Sequence, residues 1–502
     1  MELNNFMSLC PSAVELKSND DAIQTKSIGA GSYGKIYSTV NGVIKVQREL
    51  IVDFNNAIDY EGILESSILQ TVSHSNIISV DKAEIVNDHI HIFMERGENI
   101  DFDNIDKSEY SIANFIKQIS SALVYLHTHG ISHRDIKPGN IVKVDNVWKL
   151  IDFGAIRISV DDVRDINRPN DYTTLWYRSP EKFVMEYNNF KYEPGDVWSL
   201  GICVLQIFFE IENLKCKTDI KQIKAIEKLN VKSQYPDMNT DLADLLTIML
   251  HIDPKKRVTA REIASHAFIS KFFKDSMLSL QIEYKVGYKF REYRWRNSIL
   301  KCMHDAAIIL KLRTITLLSS FMLIDIILSR ERVENIALLT CVSLALESAC
   351  YETDKIYAKE WIKISGNTFT TEEFGRTFKE IFTEFNCNVI FPSTFNMKFY
   401  LNERSKGESD LFRDIMYLVY ASNMYAANNI TKLFAEVSDI VDSFSKLKTR
   451  HRITQKKFDN LYCHENLFPP YPLPIISDPL EKYRYPCYGD ILCKIEKTFY
   501  NF

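Results

Sequence analysis

Two short stretches decide the fold of this chain: His133-Arg134-Asp135-Ile136-Lys137-Pro138-Gly139-Asn140 and, twelve residues further on, Asp152-Phe153-Gly154. Each groups polar and charged side chains within a few residues. Helical periodicity precedes them from Ile112 onward, and brief strand-like alternation separates them over residues 141 to 152. The sequence therefore predicts two polar loops, carried by short strands inside a mostly helical region.

A glycine-rich segment lies upstream, Ile28-Gly29-Ala30-Gly31-Ser32-Tyr33-Gly34-Lys35-Ile36, between two strand-like stretches. Its G-x-G-x-x-G spacing permits the close backbone approach that a triphosphate needs, although a structural turn explains such a motif alone equally well. Asn41-Gly42 then predicts a hairpin turn, so Lys45 falls on the next strand. A strand lysine can neutralise phosphates if a carboxylate orients it, and Glu65 lies on the helix expected over residues 55 to 72.

Further motifs follow in a fixed order along the chain. They are Ser179-Pro180-Glu181, Asp196-Val197-Trp198-Ser199 and Arg257. With this set, residues 23 to 270 resemble a eukaryotic-type protein kinase. The resemblance implies an α+β, bilobal protein kinase fold, with an N-lobe over residues 23–97 and a C-lobe over residues 98–270, after an N-terminal extension of residues 1–22.

The same resemblance implies a role for each polar residue of the two loops. Asp135 would accept the proton of the substrate hydroxyl, with Lys137 and Thr174 beside it as in serine/threonine kinases. Asn140 and Asp152 would hold Mg²⁺ on the phosphates. The residues expected to bind ATP are Gly29, Gly31, Gly34, Ile36, Lys45, Glu65, Glu95 and Gly97, the last two at the hinge that would read adenine.

Finer signals point to one branch of that family. Thr174 to Glu181 reads T-L-W-Y-R-S-P-E and resembles the T-L-W-Y-R-A-P-E of cyclin-dependent kinases. In proline-directed kinases the arginine of this motif, here Arg178, engages a loop carbonyl, so a proline is expected after the target Ser or Thr. Ile63 falls at the isoleucine that inserts into a cyclin. Residues 160 to 171 contain no Ser, Thr or Tyr, so activity without phosphorylation of this loop is expected.

The C-terminal half reads as almost purely helical after a linker over residues 271–290. Arg296 to Ser329 aligns without gaps to the first two helices of a cyclin box. Phe369-Thr370 and Phe385-Asn386-Cys387-Asn388-Val389 resemble later motifs of that family. An all-α cyclin-box-like helical domain over residues 291–400 is therefore expected, and a generic helical bundle is the alternative.

Two features of the C-terminal half bear on the resemblance to cyclins: two charged residues are missing, and about a hundred further residues follow the cyclin-box-like region. Cyclins usually contact the kinase through a lysine and a glutamate, and the corresponding positions here fall near Cys350 and Phe378. Both charges are therefore missing. Replacing both partners of a buried ion pair by apolar groups can leave the stability of the contact unchanged. Residues 401–502 would hold a divergent second repeat, with helices over residues 408–422 and 427–447, and a proline-rich tail. Fused kinase–cyclin chains of this kind resemble genes of large DNA viruses.

Together the motifs predict an ATP- and Mg²⁺-dependent protein serine/threonine kinase that acts on protein substrates and is activated in cis by its own cyclin-like domain. Two alternatives stay open. The cyclin-like module could recruit a separate protein while the kinase acts independently, or the kinase fold could be a catalytically idle scaffold. Intact Lys45, Asp135, Asn140 and Asp152 argue against the idle scaffold.

The composition limits other functions. The chain has 502 residues with 61 Lys and Arg against 66 Asp and Glu, a net charge of −5 that gives no sign of nucleic-acid binding. The most apolar long run, Ile315 to Leu328, is too short to span a membrane and contains Asp325. The start of the chain has no basic and apolar leader, and the ten cysteines form no C-x-x-C pair. A soluble intracellular protein is expected, in the host cytoplasm or nucleus if it is viral.

Overall fold

The computed structural model describes residues 27–31, 34–50, 60–158, 174–183, 191–211, 218–273, 296–329, 335–352 and 355–391. Its small lobe is built on a five-stranded antiparallel sheet with strand order β1-β2-β3-β5-β4. The strands are β1 (Ser27–Gly31), β2 (Gly34–Ser38), β3 (Val43–Glu49), β4 (Val80–Val86) and β5 (His89–Met94). The β2–β3 turn contains the predicted Asn41-Gly42, and Gly42 is required there because a Cβ would lie 2.3 Å from the Met94 carbonyl oxygen.

Helix α1 (Tyr60–Thr71) packs on β4 and β5 and falls within the range predicted for it. A helix that covers one side of a sheet normally buries a single apolar stripe. Nine of the twelve residues of α1 are buried instead. The reason is that α1 lies between the sheet and a helix that follows the large lobe in the sequence, α11 (Ile336–Tyr351).

The large lobe is mainly helical, and α2 (Glu109–Thr128) packs on α3 (Glu193–Phe209). The apolar positions of α2 that carry the helical period are all buried, namely Ile112, Phe115, Ile116, Ile119 and Leu123. The α+β two-lobed fold predicted for this part of the chain is confirmed. Its short strands are β6 (Glu98–Asn99), β7 (Ile131–Ser132), β8 (Ile141–Val144), β9 (Val147–Leu150) and β10 (Arg157–Ile158), and its other helices are α4 (Asp219–Glu227), α5 (Val231–Gln234), α6 (Thr240–Met249), α7 (Ala260–Ala264) and α8 (Ala267–Ser270).

Further helices follow the large lobe, and α11 packs against four of them as well as against α1. All of its residues from Leu338 to Tyr351 are buried. No helix in the described part of the chain is long and apolar enough to cross a membrane. The helices predicted over residues 408–422 and 427–447, and the loop of residues 160 to 171, lie outside the described residues. Besides α11, the described helices of this region are α9 (Arg296–Leu310), α10 (Thr314–Ser329), α12 (Ala358–Ile364) and α13 (Thr371–Glu384).

Candidate active site

Three charged side chains from three separate elements meet beside the sheet of the small lobe. Lys45 on β3 donates to both oxygens of Glu65 on α1, with Nζ 2.6 Å from Oε1 and 2.8 Å from Oε2. The same Nζ lies 2.7 Å from Asp152 Oδ1, which follows β9. The Phe153 N–H donates to Glu65 Oε1 at 3.1 Å. One carboxylate on α1 thus joins the strand lysine to the Asp152-Phe153-Gly154 loop.

Burial and charge act in opposite directions on the pKa values of this group. Burial alone would lower the pKa of Lys45, but the carboxylates of Glu65 and Asp152 outweigh it and hold that pKa above its ordinary value. Burial alone would raise the pKa of Asp152, yet the neighbouring Lys45 ammonium brings it below its usual range. Lys45 and Asp152 are therefore both charged at neutral pH.

Asp135 lies on the first polar loop, and four donors reach its carboxylate. Lys137 Nζ and Asn140 Nδ2 donate to Oδ2, at 2.6 Å and 3.0 Å. Thr174 donates to Oδ1 from its main-chain N–H at 3.2 Å and from its hydroxyl at 3.0 Å. Lys137 Nζ also lies 3.1 Å from Thr174 Oγ1. The structure brings together the three residues that the sequence suggests for catalysis.

The main chain of this loop is held in place by Asp196 on α3. The Asp196 carboxylate accepts the N–H groups of His133 at 2.9 Å and Arg134 at 2.7 Å, and it lies 2.9 Å from His127 Nε2. Arg134 and Asp152 have φ angles of 69° and 61°. Residues with side chains keep this left-handed conformation only where their surroundings enforce it. For Arg134 the bond to Asp196 is one such constraint, so Asp196 helps to set the position of Asp135.

The glycine-rich segment forms the start of the sheet. Gly29 lies opposite Ile36 and Gly31 opposite Gly34 in the β1–β2 pair. A Cβ on Gly34 would lie 2.3 Å from the Val46 carbonyl oxygen, so no other residue fits there without moving β3. The glycine at this position therefore serves the packing of the strands as well as any ligand.

At the hinge, the structure gives the two predicted residues different surroundings. A Cβ on Gly97 would lie 2.4 Å from Val142 Cγ2, so the chain passes too close to β8 for a side chain. The Glu95 side chain accepts the Ser79 N–H and the Lys149 ammonium, each at 2.6 Å. Any contribution of Glu95 to nucleotide binding would therefore come from its main chain, because its carboxylate is already engaged.

The donor set of the site fits magnesium. Asn140 Nδ2 donates to the main-chain carbonyl oxygen of Asp135 at 2.8 Å and to its Oδ2 at 3.0 Å, which turns the amide oxygen of Asn140 away from that carboxylate. The Asp152 side chain is 26% exposed. One neutral and one anionic oxygen donor beside phosphate oxygens are ligands that Mg²⁺ prefers.

One contact of α1 reaches across the chain to the turn after α13. The Cys387 carbonyl accepts hydrogen bonds from Ser66 Oγ at 3.0 Å, Ser67 Oγ at 3.5 Å and Gln70 Nε2 at 3.2 Å. Gln70 Nε2 also lies 2.9 Å from the Asn386 carbonyl. Asn386 and Cys387 have φ angles of 54° and 56°, so this turn is left-handed at both residues. It presents its main-chain oxygens to α1.

The other end of α1 is held by the segment before α12. Tyr60 OH accepts the Ile356 N–H at 3.0 Å, and Lys355 Nζ lies 2.6 Å from Glu61 Oε2. We call these contacts, together with those of Cys387 and α11, the α1 seam. Ile63 is fully buried within α1.

Sequence reasoning did not find the polar residues of the α1 seam or Gln47, which donates a hydrogen bond to Glu65 Oε2. Of the two positions where cyclins carry charges, Cys350 interacts with Ser67 across the α1 seam and Phe378 is buried. The available signal for Gln47 was its spacing, because it lies two residues after Lys45 on a strand. Ser66, Ser67 and Gln70 had no comparable signal, because polar residues on a helix are normally expected on its solvent face.

Comparison with known proteins identifies the class. The protein kinase domain family model matches residues 23–269. Cyclin-dependent kinase 12 of Drosophila melanogaster is 26% identical over 307 residues, covering 51% of this chain and 26% of that protein. Probable serine/threonine-protein kinase nek3 of Dictyostelium discoideum is 29% identical over 270 residues, covering 50% of this chain and 23% of that protein. Extracellular signal-regulated kinase 2 of Dictyostelium discoideum is 29% identical over 335 residues, covering 55% of this chain and 89% of that protein.

The chain thus contains a protein kinase domain over residues 23–269, in agreement with the two-lobed fold of that part. It spans about a quarter of the length of two of these relatives, at 26% and 23%. The family match ends before α9, so the helices from Arg296 onward are not accounted for by it.

Proposed function

We propose that the chain is an ATP- and Mg²⁺-dependent protein serine/threonine kinase. The observation that carries the proposal is the Asp135 carboxylate bonded to both Lys137 and Thr174, beside the Lys45–Glu65–Asp152 cluster. Bound MgATP supplies the phosphoryl group. Asp135 orients the substrate hydroxyl and takes up its proton, while Lys137 offsets negative charge next to it. Lys45, oriented by Glu65, holds the phosphates.

The test uses the full chain with MgATP and a mixture of protein substrates, and maps the modified residues by mass spectrometry. We expect phosphoserine and phosphothreonine in the wild type and neither in Lys45→Met. Transfer to tyrosine alone would contradict the serine/threonine assignment. A well-folded wild type without transfer to any substrate would favour the idle scaffold.

We further propose that the helices from Arg296 to Phe391 are a cyclin-like domain that activates the kinase in cis. The support is where they touch the kinase domain. Glu65 lies on α1, and the α1 seam holds both ends and the outer face of that helix. In the kinase mechanism the lysine–glutamate pair must be in place for phosphoryl transfer. A surface that fixes α1 therefore promotes activity.

Charge exchange across the α1 seam tests this proposal. The Lys355 and Glu61 side chains are 32% and 15% exposed, so their ion pair is only partly screened. We expect Lys355→Glu to lower kcat roughly fivefold or more, because reversal replaces attraction by repulsion. Adding Glu61→Lys should restore much of the activity. Lys359→Glu, on the exposed side of α12, is the matched control.

The outcome separates cis activation from its main alternative. Unchanged kcat in Lys355→Glu, with wild-type melting behaviour, would mean that α1 needs no support from the helical region. The independent module that recruits a separate protein would then be the better account. Restoration by the double charge exchange has no explanation in that alternative.

We also propose a preference for proline immediately after the target residue. Arg178 lies four residues after Thr174 in the sequence, with Nη1 3.8 Å from Asp219 Oδ1 and its guanidinium 5.5 Å from the Phe183 ring centre. If it engages a carbonyl in the preceding loop, the next N–H of the substrate lacks an acceptor, which costs about 1–3 kcal/mol. A positional peptide library should then favour proline about tenfold. A library result with no preference for proline at that position would contradict the proposed specificity and leave the proposed kinase activity unaffected.

A further inference from the structure

Gln47 is a buried polar residue of the small lobe for which the motifs give no role. It lies two residues after Lys45 on β3, so the two side chains share one face of the strand. Gln47 is 2% exposed, and its Nε2 donates a hydrogen bond to Glu65 Oε2. The strand thus sends two donors, one charged and one neutral, to the same carboxylate.

The hydrogen bonds of Glu65 show what this neutral donor adds. Oε1 accepts from Lys45 Nζ and from the Phe153 N–H, and Oε2 accepts from Lys45 Nζ and from Gln47 Nε2. A carboxylate has about four acceptor sites, so Glu65 is saturated. Because Glu65 is fully buried, a lost donor could not be replaced by solvent at low cost.

The main chain of Gln47 is fixed independently of its side chain. The pairing of β3 with β5 is irregular between Val46 and Glu49, which takes Gln47 out of the ladder with β5, while it stays paired with Gly34 on β2. Its carbonyl oxygen lies 2.9 Å from His89 Nδ1 instead. The strand irregularity and the contact with the His89 side chain together fix the position of Gln47, from which its own side chain reaches Glu65.

We propose that Gln47 is a positioning residue for phosphoryl transfer: it holds the Glu65 carboxylate through its own hydrogen bond, so that Lys45 can engage the phosphates without releasing Glu65. The proposal rests on the kinase function proposed above. Lys45 already divides its bonds between Glu65 and Asp152. The Gln47 amide gives Glu65 a hydrogen bond that does not depend on Lys45. Because the amide is neutral, it adds no positive charge that would compete with Lys45 for phosphate.

The first test compares Gln47→Leu with Arg48→Leu, an exposed neighbour on the same strand, in the full chain. We expect Gln47→Leu to raise the KM for ATP and the Kd for MgATP roughly tenfold, the effect typical of one hydrogen bond to a charged group. The KM for the peptide substrate should stay at its wild-type value. The melting curve checks that each variant is folded.

A second variant, Gln47→Glu, removes the donor while keeping the shape of the side chain. Ionised, the introduced carboxyl would repel Glu65, whereas a proton shared between them would restore a donor. The activity of Gln47→Glu relative to the wild type should therefore rise as the pH falls from about 8 to about 6. A purely structural role predicts a ratio that does not change with pH.

Each outcome is decisive. A wild-type Kd for MgATP in Gln47→Leu, or a pH-independent ratio in Gln47→Glu, would overturn the role of Gln47 and leave the kinase function standing. If the wild type transfers no phosphate but binds MgATP, the Kd comparison still tests Gln47. A wild type that binds no MgATP would overturn both proposals.

Discussion

At the scale of single residues, Asp152 joins the charge cluster to the metal site proposed here. Its side chain is partly exposed and bonds to Lys45, so its replacement removes charge without leaving a void. We expect Asp152→Asn to lower kcat at least about a hundredfold while the circular dichroism spectrum stays unchanged. Asp145→Asn, at a turn with φ of 47° that asparagine also adopts, is the matched control. Equal turnover in Asp152→Asn and the wild type would contradict the mechanism.

Charged residues of the site could be predicted from the sequence, whereas their neutral partners could not. Asp135, Asn140 and Asp152 stand in short motifs whose order along the chain is informative. Gln47 belongs to no such motif, and its spacing from Lys45 alone does not single it out, because a glutamine on a strand is more often a surface residue. The contact between Gln47 and Glu65 becomes visible only once α1 is placed against the sheet in the folded protein.

At the scale of elements, α11 carries a carboxyl group in the interior of the protein. Glu347 is fully buried, and neither of its oxygens has a hydrogen-bond partner among the described residues. Burial raises its pKa well above the ordinary value of about 4.5. An unfolded chain therefore loses this proton at a lower pH than the folded chain does. The contribution of Glu347 to stability falls as the pH rises above that value.

We therefore expect Glu347→Leu to stabilise the protein at pH 8 by about 1–3 kcal/mol, the usual cost of burying an unpaired polar group. The gain should shrink toward pH 5, where the unfolded carboxyl also begins to keep its proton. Thermal or urea unfolding at both pH values measures it, with Glu372→Gln on the exposed side of α13 as a control. A gain that is the same at both pH values would contradict the assignment.

The elements themselves differ in how far the sequence predicts them. The period of α2 is regular because one face meets the core and the other meets solvent. The pattern of α1 is weak because the sheet covers one face and distant helices cover the other. A sequence window sees neither partner, so the polar residues Ser66, Ser67 and Gln70 gave no hint of the turn at Cys387.

At the scale of the whole molecule, the kinase domain and the helices that follow it belong to one chain, and this sets their effective concentration relative to each other. A tethered domain is present at an effective concentration of order mM when its linker can span the sites. We expect the specific activity of the full chain to stay constant on dilution from about 1 µM to about 1 nM. Kinetic assays over that range measure it. A fall in specific activity on dilution would mean that one molecule activates another.

The turn after α13 has a consequence for how this contact can change over time. Its carbonyl groups accept most of the hydrogen bonds from the hydroxyl and amide groups of α1, and the Asn388 side chain accepts one more from Thr71. Main-chain oxygens are the same in every amino acid, so a substitution at residue 386 that keeps the left-handed backbone removes no hydrogen bond. The two parts can therefore diverge in sequence while still recognising each other. A docking contact of this kind leaves little trace for methods that compare side chains.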